Sequence, residues 1–553
     1  MLSKRLKPQP LWRITLILAC YFALALNLPI YAKLHQIFTE LESVKIGFII
    51  SIPLFFILAM NFIFSLLNWP YVGKAFFSIL IVISSVISYA GYNYGTIVDQ
   101  DMLVNILETN SHEAGSYFSL TALFWVLGLG VLPAVILLLT PVRPAPSIFR
   151  LLLSKVISMV VSLLLVVVIA GFYYQDYASV GRNQPYLKKM IIPTHFVYSA
   201  VKLIDKRYLS TPLTYKTIGE DAKQNPAYFH DKGNGKPTLL IFLLGETARA
   251  QNYQYNGYER DTNAFTQKYN PVVFNHVSSC GTATAVSVPC MFSILQHSNF
   301  DRERADMQDN ALDILKRAGV SVLWKDNDGG DKHVAHNVAK LDEHQLAKLD
   351  VSSHPLCNGE TCYDEIMLAD LDSQIAQMKG NRVMVMHLIG SHGPTYFQRY
   401  PKAMAHYQPD CARADIENCS NEQIRNAYDN TIRYTDYVMA NLIEKLISLE
   451  DRYNTALIYI SDHGESIGEH GVYLHGTPYA IAPEQQTKVP LLMWMSPGFA
   501  QSKQIDLNCL RKMGKENEYS QDNIFHSLLG AMDIQTKVYE AQLDLFSNCR
   551  PSK

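Results

Sequence analysis

Apolar residues crowd into the first third of the chain, and beyond it they recur as short runs separated by charged, helix-compatible stretches. Residues 12–32, 46–69, 75–95, 118–140 and 151–174 each offer roughly the 20 mostly uncharged positions that cross a hydrocarbon core of about 30 Å. They predict five transmembrane helices. A cleaved signal peptide would explain only the first run, which is too long for one and has no clear small-residue cleavage site after it. From residue 238 the pattern changes to strand-length apolar runs at 238–245, 320–324, 383–388, 455–461 and 489–495, alternating with helical, charged segments. That alternation predicts parallel strands joined by crossover helices. The block 175–236 is more polar, carries Tyr186, His195, Phe196 and Tyr198, and reads as a bridge lying partly on the membrane surface. The predicted organisation is a five-helix transmembrane domain over 1–174, a bridging segment over 175–236 and an α/β domain over 237–553.

Basic residues in short loops mark the cytoplasmic side of a membrane protein. Lys4, Arg5, Lys7 and Arg13 cluster at the start of the first run, Lys74 lies before the third, and Arg143, Arg150 and Lys155 flank the start of the fifth. The loop 96–117 has no Lys or Arg and carries Asp99, Asp101, Glu108 and Glu113. Five crossings then export everything after residue 174. Cysteine usage agrees: of nine, Cys20 sits in the first run and the other eight all lie beyond residue 279. An even number confined to the exported part predicts disulfides in an oxidising compartment. Close spacing favours Cys280–Cys290, Cys357–Cys362 and Cys411–Cys419, which leaves Cys509 with Cys549. Each bridge contributes on the order of 2–4 kcal/mol. The spacings do not form the paired knuckles of a zinc ribbon. A formal net charge of −2 gives no electrostatic basis for nucleic-acid binding.

The candidate chemistry sits where strand-like runs end. The run 238–245 delivers Glu246, and 455–461 delivers Asp462 and His463. In an open α/β sheet, ligands gather at the carboxyl ends of the strands, so two such tips point to one shared metal site. A helix-start acid is the plain alternative for Glu246 taken alone. Gly464 directly after the Asp-His pair permits a sharp turn. Between Cys280 and Cys290 lies a loop rich in hydroxyls, and a hydroxyl held on a divalent ion near a helix start loses its proton readily, as metal-bound water falls from about 15.7 to about 7. Composition alone does not separate Thr282, Thr284 and Ser287 in that role. His392 and His475 stand in glycine-flanked loops and are suited to a second metal or to phosphate oxygens, as Lys332 is to a phosphate. His387 lies within a strand and reads as a satisfied structural residue, and His470 is left unassigned.

Taken together, Gly245-Glu246-Thr247-Ala248-Arg249, Cys280-Gly281-Thr282-Ala283-Thr284, Ser391-His392-Gly393-Pro394 and Ser461-Asp462-His463-Gly464-Glu465-Ser466, in this order behind five spans, resemble the lipid A phosphoethanolamine transferases. The mobile colistin-resistance enzymes belong to that family. The resemblance implies an alkaline-phosphatase/sulfatase-like periplasmic domain that binds zinc through Glu246, Thr284, Asp462 and His463, with Thr284 as nucleophile. It assigns Lys332, His392 and His475 to the phosphoethanolamine pocket, with both histidines available to a second zinc. Asn105, Thr109 and Glu113 match polar residues beneath the active site, and their spacing of four puts them on one helical face. Two departures stand out: Asp328 occupies a position where relatives can carry Asn, and His470 one where some carry Asn.

The resemblance implies a ping-pong transfer of phosphoethanolamine from phosphatidylethanolamine to a phosphate of lipid A through a phosphothreonine-type intermediate. The expected partners are these two lipids and the surrounding inner membrane, with no nucleic acid, and the expected state is a monomer. The expected consequence is a less anionic surface and resistance to polymyxins such as colistin. A phosphoglycerol donor or an oligosaccharide-core acceptor is the nearest rival, and a membrane-anchored sensor the rival from another class. No Cys-x-Pro-x-Arg motif supplies the modified nucleophile of a sulfatase.

Overall fold

The computed structural model describes residues 7–39, 44–109, 114–115, 117–225, 235–350, 355–358 and 361–551. The chain divides into two compact units, Met1–Leu103 with Phe118–Leu209, and Val104–Tyr117 with Ser210–Lys553.

In the first unit four helices are long and apolar enough to cross a membrane: Ile46–Leu67, Gly73–Asn93, Leu120–Leu139 and Ile148–Asn183. Leu11–Leu26 and Leu28–Thr39, bent by 53° at the break between them, pass the same length and composition test as a pair and make a fifth crossing if the two are one span. Pro29, in the first turn after the break, has no N–H to continue the preceding helix. Asn27 repairs the break. Its amide donates to the carbonyls of Phe22 and Ile192 at 2.8 and 2.6 Å, and its oxygen accepts from Ile192 N at 2.9 Å. Such repair is needed because a bilayer offers no water to freed backbone groups. Between Ile46–Leu67 and Ile148–Asn183, Asn61 donates to Ser158 and Ser162 at 2.9 Å each. The faces away from these contacts carry exposed Val160, Leu164 and Val168, as lipid-facing surfaces do.

The second unit is built on a seven-stranded sheet of β1 (Thr238–Gly245), β2 (Val272–Phe274), β3 (Ser321–Asp326), β4 (Ala339–Leu341), β5 (Arg382–His387), β6 (Asn454–Ser461) and β7 (Leu491–Met495). Their spatial order is β2-β7-β6-β1-β5-β3-β4. β1, β5 and β6 are buried along their whole length, which is why their sequences are nearly unbroken apolar runs. Register aligns the tips: Gly245 pairs with Ser461, Leu244 with His387, and His387 with Asp326. Glu246, Asp462, His387 and Asp326 therefore emerge side by side at one edge.

The expected all-parallel sheet is corrected at β7, which runs antiparallel to β6 and β2. The residues between β6 and β7 form a short antiparallel pair, Ser466–Ile467 with Tyr473–Leu474, and short helical turns but no crossover helix, so the chain re-enters the sheet from the end at which it left. The disulfides are Cys280–Cys290, Cys357–Cys362, Cys411–Cys419 and Cys509–Cys549, with Cys20 free.

His526, on the helix Asp522–Ala531, is 1 % exposed and packs against the rings of Phe525 and Tyr539. Its Nδ1 accepts from Glu540 N at 3.0 Å. Burial pushes its pKa from 6.5 to about 4. Across that window the unfolded chain binds more protons than the folded one, so stability falls as pH drops from about 6.5 to about 4, by on the order of 3 kcal/mol. In melting of the detergent-solubilised protein from pH 7.5 to 4.5, His526→Gln should lose less of its melting temperature than the parent. Parallel curves would show that His526 is not the titrating group.

Candidate metal centre and nucleophile

Glu246, Asp462 and His463 are fully buried, at 0 % exposure each. Three ionisable side chains survive there only by neutralising one another or an ion. His463 Nε2 stands 3.4 Å from Glu246 Oε1 and 3.2 Å from Asp462 Oδ2. The ring is aimed by its Nδ1, 2.9 Å from the Gly464 carbonyl. Asp462 is aimed by its Oδ1, which accepts from Thr247 N at 3.0 Å and His463 N at 2.7 Å. Among the described residues its Oδ2 has no hydrogen-bond partner.

The glycine at 464 has a different reason from the expected turn. A Cβ there would stand 2.0 Å from the Gln485 carbonyl oxygen, so it is close approach of another loop that requires glycine.

Thr284 opens the helix Thr284–Phe292, whose second end is tied back by the Cys280–Cys290 bridge. Its Oγ1 lies 3.2 and 3.3 Å from the two oxygens of Glu246 and 3.3 Å from His463 Nε2. Of the three hydroxyls left open by composition, the other two are engaged elsewhere. Thr282 donates to the Thr477 carbonyl, and the Ser287 hydroxyl accepts from Gly281 N.

Protons hold this cluster together. Burial raises the Asp462 carboxyl, and the Glu246 charge raises it further, to about 7. Burial lowers the His463 imidazole, but the Asp462 and Glu246 charges outweigh it and lift it to about 10. Burial likewise raises Glu246, yet His463 more than offsets this and leaves it well below the usual carboxylate range. The donor set, an unpartnered carboxylate oxygen and three convergent ligands around a hydroxyl fit a divalent cation in place of those protons.

Beside it, the His475 ring stands 4.5 Å from that of His463 and 5.7 Å from that of His392. His475 Nδ1 meets Glu465 Oε2 at 2.9 Å, while Glu465 Oε1 accepts from Tyr396 at 2.7 Å. Glu465 was legible within the Asp-His-Gly-Glu motif but carried no role from sequence. Lys332 is half-buried in the loop after β3. Asn105 lies on the helix Gln100–Glu108 and Thr109 just beyond it, Thr109 N donating to the Asn105 carbonyl at 2.9 Å. Glu113 lies outside the described residues. His470 is exposed, and among the described residues it joins none of the groups of possible metal ligands.

Arg302 escaped sequence reasoning because Asp301-Arg302-Glu303-Arg304 reads as a solvated charge run. Its guanidinium pairs with Glu108 at 3.0 Å and donates to the carbonyls of Ala285 and Lys332. It ties the helix that Thr284 opens to the Lys332 loop and to the segment that carries Asn105.

Two family models match the chain: the sulfatase domain over residues 238–534, and the phosphoethanolamine transferase EptA/EptB domain over 56–208. Among curated relatives, phosphoethanolamine transferase EptA of Salmonella typhimurium is 39% identical over 100% of this chain and 99% of its own. Phosphatidylethanolamine transferase Mcr-1 of Escherichia coli is 36% identical over 86% of this chain and 88% of its own. The solved structure of the integral membrane protein lipooligosaccharide phosphoethanolamine transferase A (EptA) from Neisseria meningitidis superposes with a TM-score of 0.93, at 34% identity, over 99% of this chain and 100% of that one. With apolar spans ahead of a sulfatase-type α/β domain whose strand tips converge on a threonine, the chain belongs to the phosphoethanolamine transferases, membrane enzymes with a periplasmic catalytic domain.

Proposed function

We propose that this enzyme transfers phosphoethanolamine from phosphatidylethanolamine to a phosphate of lipid A, in two steps, at the outer face of the bacterial inner membrane. The observation that carries the reading is Thr284 Oγ1, within 3.3 Å of both Glu246 and His463 at the start of a helix. Glu246, Thr284, Asp462 and His463 are the residues proposed to hold zinc, which when bound lowers the pKa of the threonine hydroxyl and offsets phosphate charge.

Thr284 Oγ1 bonds to the phosphorus of phosphatidylethanolamine. The bond from phosphorus to the glycerol oxygen breaks, and diacylglycerol leaves with a proton. The helix start at Thr284 adds the positive end of the helix, which favours the anionic phosphoryl group. A phosphate oxygen of lipid A then bonds to the same phosphorus and frees Thr284. His392, His475 and Lys332 are proposed to hold phosphate oxygens, with Glu465 fixing the orientation of His475. Asn105, Thr109 and Glu113 are proposed to contact the lipid-borne group. Residues 1–174 serve as the membrane domain, 175–236 as a bridging segment near the membrane surface and 237–553 as the periplasmic catalytic domain. Attaching an ammonium to an anionic phosphate weakens attraction for cationic polymyxins, so colistin resistance follows.

Mass spectrometry of lipid A from cells expressing the enzyme should show addition of one phosphoethanolamine, and an unchanged mass would sink the reading. Treating the purified enzyme with a chelator should abolish transfer, with zinc restoring it. Full activity after complete removal of metal would remove zinc from the proposal.

A further inference from the structure

Glu246 also belongs to a second group of ligand atoms, formed with His387 and Asp328. His387 ends β5 and is fully buried. The sequence expectation was a satisfied histidine, yet only half of the ring is satisfied. Its Nδ1 faces Asp326 Oδ2 at 3.2 Å. Asp326 is itself fixed by Trp324 Nε1 at 2.8 Å and by the backbone N–H groups of Asp328 and Gly330 at 3.0 and 2.9 Å. A carboxylate behind a histidine in this way sets the ring orientation seen at metal ligands.

The other nitrogen, Nε2, has no hydrogen-bond partner among the described residues and lies 3.5 Å from Asp328 Oδ2 and 4.0 Å from Glu246 Oε2. A nitrogen–oxygen hydrogen bond spans about 2.7–3.2 Å, so these gaps are too wide for direct hydrogen bonds. Two ligands each about 2.1 Å from a tetrahedral ion stand about 3.4 Å apart, close to what is observed. Asp328 is 9 % exposed and Glu246 is fully buried, so bulk water does not fill the space between them.

We propose a second divalent-cation site made by His387 Nε2, Asp328 Oδ2 and Glu246 Oε2, with Glu246 bridging to the first ion. One imidazole and two carboxylates suit zinc or manganese. Asp326 is a positioning residue for this site. The location differs from the His392 and His475 neighbourhood suited to a second zinc. The proposal rests on Glu246 as a ligand of the first ion.

Anomalous diffraction from crystals of the full-length protein grown with zinc, and separately with manganese, reads both sites at once. The expected map has one peak at Asp462 and His463 and another within about 2.3 Å of His387 Nε2 and Asp328 Oδ2. A peak only at Asp462 and His463 with either metal overturns the second site and leaves the first intact. No peak at Asp462 and His463 overturns the first reading instead. In solution, Asp328→Asn should retain one metal equivalent fewer than wild type after dialysis of the detergent-solubilised enzyme against zinc, and equal content overturns the proposal. His387→Gln should show the same loss, and it decides the matter should Asp328→Asn fail to melt cooperatively.

Discussion

Thr284→Ala should abolish transfer, lowering the rate by about 10⁴-fold or more, because it removes the atom proposed to bond to phosphorus. Thr282 and Ser287 cannot substitute, since Thr282 is committed to the Thr477 carbonyl and Ser287 to Gly281 N in its own loop. The fold should survive. Ala is a good residue in a first helical turn, and the Cys280–Cys290 bridge fixes the loop regardless of the side chain at 284. Metal should still bind through Glu246, Asp462 and His463, so elemental analysis separates loss of the nucleophile from loss of the ion. Thr284→Ser keeps the oxygen and should keep part of the activity. Transfer by the alanine variant at more than a tenth of the parent rate would remove Thr284 from the nucleophile's role.

Much of this site was legible because strand tips are legible. β1 and β6 bury both faces, so their sequences are unbroken apolar runs, and a carboxylate or imidazole directly after such a run stands out. Six of the cysteines beyond residue 279 paired as their close spacing indicated, because short loops leave few partners within reach, and Cys509–Cys549 followed by elimination. What stayed hidden depends on distance through space. His387 sits inside a strand, and the sequence gives no sign that Asp326 fixes one nitrogen while the other is left without a partner. Arg302 is about 190 residues from Glu108, and no local pattern links them. The antiparallel β7 was missed for a similar reason: an apolar run records burial but not the direction in which the chain re-enters the sheet.

Arg249→Met should destabilise the catalytic domain by about 3 kcal/mol, since breaking a largely buried ion pair leaves its partners unsatisfied. Arg249 is 7 % exposed and follows Glu246 by three residues. Its guanidinium pairs with Glu469 at 2.7 Å, donates to the Glu465 carbonyl at 3.1 Å and to Asn252, and lies over the Tyr428 ring. Those contacts tie the strand tip bearing Glu246 to the loop that follows Asp462 and His463. Glu469 retains 28 % side-chain exposure, so water recovers part of its loss and the cost falls at the low end for buried pairs. Arg249→Lys keeps the charge opposite Glu469 but not the fork that reaches Asn252 and the Glu465 carbonyl together, so its stability should fall between the two. Activity should drop further than melting temperature alone accounts for, because the Glu465 backbone held by Arg249 carries the carboxylate that orients His475. Melting curves and transfer rates for the three proteins test this directly. A methionine variant that melts with the parent would show that the two ligand-bearing loops are held together without Arg249.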